Sequence, residues 1–246
     1  MVMPIWDDNP FSFQRFPFVT WGLVLANIFV FVLEISASPT ARFAIDSFTL
    51  VPSTLASGAP AGHAFPPYLT LITYMFLHAN ILHLLGNMIF LAIFGDDVEE
   101  AMGPLRFLIF YLACGIAAGA TFALSSTQGT TALVGASGAI AGVLSAYLMF
   151  RPCEKVTVFL PWFILWIFVR PIVRLDARWV LGFWILTQLW AVSVQSQDGV
   201  AYMAHVGGLL AGAVLFPVFR YRSVRLFQCL RPEAPLPPAP TSQHLT

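Results

Sequence analysis

The segment GASGAIAG, residues 135–142, places a serine between glycines at the start of an apolar run that ends at Arg151. One interpretation is a small-residue contact between two helices that carries an incidental hydroxyl. The other is a nucleophilic Ser137 inside a membrane. The second interpretation requires a base, donors for an oxyanion and access to water, and the rest of the chain has to supply them.

The composition of the chain is typical of a membrane protein. Its 246 residues are 58% hydrophobic and 10% charged, whereas roughly a quarter of the residues in a soluble domain are charged. The net charge is zero, so the basic surface of a nucleic-acid-binding protein is excluded. Cys114, Cys153 and Cys229 have neither metal nor redox spacing. They are expected to be free thiols, and we expect neither a metal site nor a cofactor.

Six apolar segments predict an all-α polytopic membrane protein. The predicted spans are residues 18–35, 70–95, 104–124, 137–150, 179–194 and 202–219. The fourth is short and starts inside the membrane. The loop 36–69 is partly apolar and is expected to lie in the membrane interface. Residues 156–169 are apolar but too short to span, so they are assigned to the interface or to a re-entrant hairpin.

Six spans place both chain ends on one side of the membrane. If the even-numbered loops lie on the same side as the chain ends, that side contains all of the 12 Lys and Arg residues except Arg42. The positive-inside rule therefore predicts cytoplasmic termini. The predicted organisation is a cytoplasmic tail over residues 1–17, a membrane-embedded domain over 18–220 and a C-terminal tail over 221–246. This last tail is basic and then Pro-rich, and it is expected to be disordered.

Two polar side chains are predicted to lie at the same depth. Ser137 is fourteen residues before Arg151 and His205 is fifteen before Arg220, which puts them about 21 and about 22 Å above the cytoplasmic edge. A histidine at that depth is costly unless it has a function. Because the fourth helix is too short to cross the membrane, residues 125–136 must enter it as irregular backbone, surrounded by protein or a watery cavity.

Pairs of glycines predict that the fourth and sixth helices pack closely. Gly138 and Gly142 form one G-xxx-G motif, and Gly208 and Gly212 form another. Such motifs allow two helix backbones to approach. If these faces meet, Ser137 Oγ comes within hydrogen-bond reach of the His205 imidazole.

The second span supplies polar side chains to the same region. His83 and Asn87 are separated by four residues and share one helix face. Counted from Asp96, they lie about 20 and about 14 Å up the helix, and His78 belongs near its outer end. No carboxylate lies at this depth, so a Ser137–His205 dyad is predicted. The free N–H of Ser137, the Asn87 amide and His83 could hold an oxyanion.

The order and spacing of these motifs resemble the rhomboid intramembrane serine proteases. The resemblance runs from Thr73 to Gly212 through the segments YMFLHA (74–79), H-xxx-N (83–87), G-x-SG (135–138) and AH-xx-G-xxx-G (204–212). It implies a six-helix bundle of the minimal bacterial type in the inner membrane. It also implies cleavage of single-pass transmembrane protein substrates near the outer surface, in contact with the lipid bilayer.

The resemblance also implies a role for each site residue. Ser137 would be the nucleophile and His205 the base, with His83, Asn87 and Gly135 around the oxyanion. His78 would lie on the side from which water enters.

Two features depart from the family pattern. Many members carry a Trp-Arg pair in the first loop where this chain has Leu69-Thr70, and some place an aromatic ring at the position of Ala141.

The alternatives to a protease are a catalytically silent relative that binds transmembrane helices for quality control, and a channel or transporter. Silent relatives usually lack the serine or the histidine, and the charged spans or broken helices of transporters are weakly represented here.

Overall fold

The chain folds mainly into helices. The computed structural model describes residues 3–7, 16–58, 65–126, 128–159, 171–196, 200–227 and 229. The helices are α1 (Phe18–Ser36), α2 (Pro39–Asp46), α3 (Pro52–Ser57), α4 (Thr70–Thr73), α5 (Ile81–Met102), α6 (Pro104–Ser125), α7 (Ser137–Phe150), α8 (Ala177–Ser193) and α9 (Tyr202–Phe219). Four of them, α1, α5, α6 and α9, are long and apolar enough to cross a membrane. The chain is therefore a mostly helical, integral membrane protein.

The short helix α7 lies in the middle of the bundle. Every residue from 138 to 147 is buried, and the helix packs against α5, α6 and α9. Its composition explains this position, since a helix that is apolar or small on all sides has no face suited to solvent. A helix held on several sides is a rigid support for the serine at its first residue.

The second predicted span differs from the structure at both ends. Helix α5 begins at Ile81 because the Asn80 side chain caps it, accepting a hydrogen bond from the His83 amide at 2.9 Å. It then continues through the acidic run 96–100, which the prediction placed after the helix. Glu99 is buried there and accepts hydrogen bonds from the Thr20 amide (2.7 Å) and hydroxyl (2.8 Å). The carboxylate therefore caps the start of α1, where the helix dipole favours negative charge.

A small antiparallel sheet accompanies the helices, and the prediction of an all-α fold omitted it. Its strands are β1 (Met3–Asp7), β2 (Lys155–Phe159) and β3 (Ile172–Asp176), in the order β1-β2-β3. Residues 156–159, predicted to lie in the interface or a re-entrant hairpin, belong to β2, whereas 160–170 lie outside the described residues. Lys155 donates a hydrogen bond to Asp176, and this contact holds the pKa of the Asp176 carboxyl below its usual range. The ends of β2 and β3 are therefore joined by an ion pair at neutral pH.

Two of the three cysteines are not free. Cys153 and Cys229 form a disulfide with a Cα–Cα distance of 5.1 Å, whereas Cys114 is free and buried. The prediction of free thiols was wrong for this pair because 76 residues separate the two positions. The chain after α9 is also hydrogen-bonded to the helix bundle, since the Phe227 amide donates to the Met149 carbonyl at 2.7 Å. Residues 220–227 therefore pack on the same end of the bundle as the C-terminus of α7.

Candidate active site

Backbone contacts hold the irregular segment that leads into α7. Leu50 and Leu133 exchange two backbone hydrogen bonds of 3.2 and 2.7 Å, and the Gly135 amide donates to the Tyr74 carbonyl at 2.9 Å. Gly135 has a φ of +114°, a conformation that a residue with a β-carbon rarely adopts. These contacts set the direction from which the chain enters α7, so Ser137 begins the helix at a fixed position.

Ser137 and His205 lie within hydrogen-bond distance. Ser137 Oγ is 2.8 Å from His205 Nε2, although 68 residues separate the two in sequence. His205 is 7% exposed and Ser137 is half-buried. Since Ser137 is the first residue of α7, its backbone N–H has no acceptor within the helix. The hydroxyl therefore has a base beside it and an unused amide donor on the same residue.

The glycine pairs allow α7 and α9 to touch through their backbones. A β-carbon at Gly208 would overlap the Gly138 carbonyl, and one at Gly212 would overlap the backbone of Gly142. On α7, a β-carbon at Gly142 would lie 2.5 Å from Cys114 Sγ. The resulting helix separation sets the distance between the serine and the histidine.

We expect Gly208→Ala to destabilise the protein by about 1–3 kcal/mol, because the added methyl overpacks a contact made by backbone atoms. The measurement is thermal unfolding of the purified protein in detergent. Gly182→Ala on α8 is the matched control, because nothing lies within 4 Å of a β-carbon built there. Equal melting temperatures for the two variants would contradict the close approach of α7 and α9.

His83 and Asn87 lie beside the segment that precedes the serine. A β-carbon at Gly135 would be 2.8 Å from His83 Nε2 and 3.5 Å from Asn87 Nδ2. The two side chains therefore line one side of the turn that delivers Ser137. Asn87 is 7% exposed, which makes its amide a fixed dipole in a buried region.

His78 lies in the segment before α5, and its side chain is next to that of Asn87. Its Nε2 is 3.0 Å from Asn87 Nδ2, and its ring contacts that of His83 edge to face, with 5.3 Å between centroids. Its backbone amide donates to the Glu34 carboxylate at 3.2 Å. His78 is buried, so it orients the Asn87 amide from behind.

Two residues of α8 that the sequence did not predict for the site contact the imidazole, in addition to Tyr202 of α9, whose ring is 6.3 Å from it. Gln188 Oε1 is 2.7 Å from His205 Nδ1, and the Trp184 ring is 5.7 Å from the His205 ring between centroids. Both belong to α8. The third member of such a site is usually a carboxylate, whereas this partner is an amide. A glutamine within an otherwise apolar span was the available signal.

The chain is similar to known proteins over the region that contains these residues. The chain from residue 67 to 222 matches the rhomboid domain model. Rhomboid-like protein 11, chloroplastic, of Arabidopsis thaliana is 33% identical over 153 residues, which cover 62% of this chain and 53% of that protein. Rhomboid protease AarA of Providencia stuartii is 29% identical over 154 residues, covering 57% and 52%. RHOMBOID-like protein 12, mitochondrial, of Arabidopsis thaliana is 27% identical over 219 residues, covering 82% and 58%. The chain thus spans little more than half the length of each of these relatives.

Proposed function

Since the chain belongs to the rhomboid family, we propose that it is an intramembrane serine endopeptidase that cleaves single-pass transmembrane proteins near the outer membrane surface. The observation that carries the proposal is the 2.8 Å contact between Ser137 Oγ and His205 Nε2, among helices long enough to cross a membrane. A serine needs an adjacent base to become a nucleophile, and an imidazole is well suited to that task at neutral pH.

The proposed reaction proceeds through an acyl-enzyme. Ser137 Oγ forms a bond to the scissile carbonyl carbon while its proton moves to His205 Nε2. The peptide C–N bond then breaks, and the imidazolium returns the proton to the leaving nitrogen. Water repeats the sequence on the acyl-enzyme, releases the new carboxyl terminus and restores the serine.

Three groups around the serine are proposed to stabilise the oxyanion of each tetrahedral intermediate. The Ser137 N–H is free at the positive end of α7, and the Asn87 amide and the His83 ring line the adjacent turn at Gly135. Fixed donors of this kind stabilise developing charge strongly in a site from which most water is excluded. Their placement beside Gly135 supports this assignment.

The proposal includes an arrangement in the membrane. Helices α7 and α8 complete six spans together with the four longer helices. Both termini then face the cytoplasm of a bacterium, and the protein lies in the inner membrane. The strong asymmetry of Lys and Arg between the two sides supports this orientation.

The first test is covalent labelling of the protein in mild detergent with a fluorophosphonate, followed by mass spectrometry. We expect one adduct per chain, mapped to the peptide that contains Ser137, because only an activated serine reacts readily with this probe. Heat-denatured protein is the control. A folded protein that gains no adduct, or gains it on another serine, would contradict the proposed nucleophile.

The second test uses proteoliposomes that contain a single-pass transmembrane substrate. We expect cleavage within the outer part of the substrate span, and protein already blocked with fluorophosphonate should give none. Cleavage that survives the block would show that another enzyme is responsible. Binding of the substrate without either cleavage or labelling would favour the helix-binding alternative.

A further inference from the structure

The His205 imidazole is held by α8 as well as by α7. Gln188 is 7% exposed, and its Oε1 lies 2.7 Å from His205 Nδ1, the nitrogen that does not face the serine. Trp184 is one turn earlier on the same helix, with its ring 5.7 Å from the imidazole and tilted by 41°. Residues four apart on a helix share a face, so one side of α8 contacts the ring through two side chains.

The environment of the Gln188 amide fixes which of its ends faces the imidazole. Its nitrogen lies 3.3 Å from the Trp184 carbonyl and 3.1 Å from Thr187 Oγ1. The Thr187 hydroxyl proton is directed to the Trp184 carbonyl at 2.6 Å, so its lone pairs are free to accept. Both neighbours thus accept hydrogen bonds, which requires the NH₂ group at that end. The carbonyl oxygen therefore points at His205.

This orientation determines the position of the proton on His205. A carbonyl oxygen can only accept, so Nδ1 must carry the hydrogen. In a neutral imidazole the other nitrogen then has a lone pair, and Nε2 is the atom beside Ser137 Oγ. We propose that Gln188 is a positioning residue that holds His205 in the Nδ1–H tautomer, ready to take the proton of Ser137. This inference rests on the proposed function.

Helix α7 supplies no comparable hold on the ring. The residue one turn after Ser137 is Ala141, and its methyl group lies 3.3 Å from the position of a β-carbon at Gly208. Ala141 therefore fills the contact between α7 and α9. Tyr202 of α9 contacts the imidazole edge to face, with 6.3 Å between ring centroids, but it is Gln188 of α8 that bonds Nδ1. This bond makes Gln188 more important here than an ordinary buried amide.

Free volume next to Gln188 makes the residue suitable for substitution. A partly open groove of about 250 Å³ lies between Phe90 of α5 and helix α8, and Thr187 and Gln188 are among the residues that line it. A leucine at position 188 can adjust into this space, so we expect the variant to fold. It removes the acceptor for Nδ1–H and leaves both Ser137 and His205 in place.

The test compares Gln188→Leu, Gln188→Glu and the parent by the rate of fluorophosphonate labelling and by kcat and KM for a transmembrane substrate. We expect Gln188→Leu to lower the labelling rate and kcat about 10- to 100-fold with KM unchanged, by analogy with groups that orient metal-binding histidines. Gln188→Glu, in its protonated form, restores an acceptor for Nδ1–H and keeps a donor for the Trp184 carbonyl, so it should recover most of the loss. Asn27→Leu is the matched control, a buried amide on α1 that bonds the Leu23 carbonyl, and it should behave as the parent.

Two results would overturn the proposal. One is parent-like labelling of Gln188→Leu. The other is Gln188→Glu that is folded, by its thermal unfolding, yet no faster than Gln188→Leu. Either would reduce Gln188 to a packing residue.

A measurement on the parent protein tests the tautomer even if every variant at position 188 fails to fold. The protein, with its five histidines labelled with ¹⁵N, is examined by NMR at mildly alkaline pH, and the His205 signals are identified by their loss in His205→Ala. We expect a protonated Nδ1 and an unprotonated Nε2. The opposite tautomer would overturn the role of Gln188. Failure of the parent to label at all would instead contradict the proposed nucleophile, so the two failures are distinguishable.

Discussion

Ser137→Ala and His205→Ala are each expected to lower substrate cleavage by at least about 10⁴-fold while leaving the protein folded. When a nucleophile and its base act as a unit, loss of either removes nearly all of the covalent pathway. The measurement is kcat/KM for a transmembrane substrate in proteoliposomes, together with thermal unfolding of each variant. Ser137→Ala removes one hydroxyl and should change the stability little. His205→Ala leaves a cavity and an unpaired Gln188 carbonyl, so we expect a lower melting temperature but a folded protein.

Two further variants sharpen this prediction. Ser145→Ala removes a buried hydroxyl from the same helix, about 12 Å further along its axis, and it should cleave as the parent does. The double variant of Ser137 and His205 should be no slower than either single variant, because the second substitution has no remaining pathway to impair. Losses that multiply in the double variant would show that the two residues act independently and would contradict the dyad.

Asn87→Ala is expected to lower kcat by about 10²–10³-fold with little change in KM, which is the usual cost of removing one oxyanion donor. The amide is buried, and His78 Nε2 lies 3.0 Å from its nitrogen, so it cannot turn away easily. The measurement is steady-state cleavage together with the rate of fluorophosphonate labelling. Unchanged turnover in a folded variant would remove Asn87 from the site.

The control for Asn87→Ala is His78→Ala. This variant breaks the same contact from the other side and leaves the Asn87 amide in place. We expect it to cost about tenfold, the lower end of the loss on removing an orienting partner, since the positioned donor itself is still present. A loss as large as that of Asn87→Ala would indicate that the pair acts through packing.

The sequence was most informative where local pattern and membrane physics agree. Continuous apolar runs predicted α6, α8 and α9 to within a few residues, because apolar length alone specifies a helix in lipid. Counting helix rise from Arg151 and Arg220 put Ser137 and His205 at one depth, and the two side chains lie 2.8 Å apart. Both estimates depend only on distances along single helices.

Features that depend on distant pairings could not be predicted in this way. Strand β2 pairs with residues 3–7, about 150 positions earlier, and the bond between Cys153 and Cys229 closes a separation of 76 residues. No periodicity in either segment encodes its partner. The acidic run 96–100 was placed outside the helix because its partners, among them Thr20 at the start of α1, are also far away in sequence.

Gln188 illustrates a different limit. Its residue type and depth are visible in the sequence, but an amide is not the usual partner of a catalytic histidine, whereas a carboxylate is. Only the packing of α8 against α9 shows which imidazole nitrogen it meets. A role that depends on a single hydrogen bond can be assigned only when the side-chain geometry is known.

The backbone contact between α7 and α9 has a consequence for the entropy of the proposed reaction. Because Gly138 and Gly208 leave no space between the helices, the hydroxyl and the imidazole meet when the protein folds and do not have to find each other in each turnover. Groups held in this way react as if each were present at a very high concentration, with effective molarities on the order of 10⁵ M or more in well-oriented systems. Thermal motion of the surrounding lipid then changes access to the pair far more than it changes the encounter between its two groups.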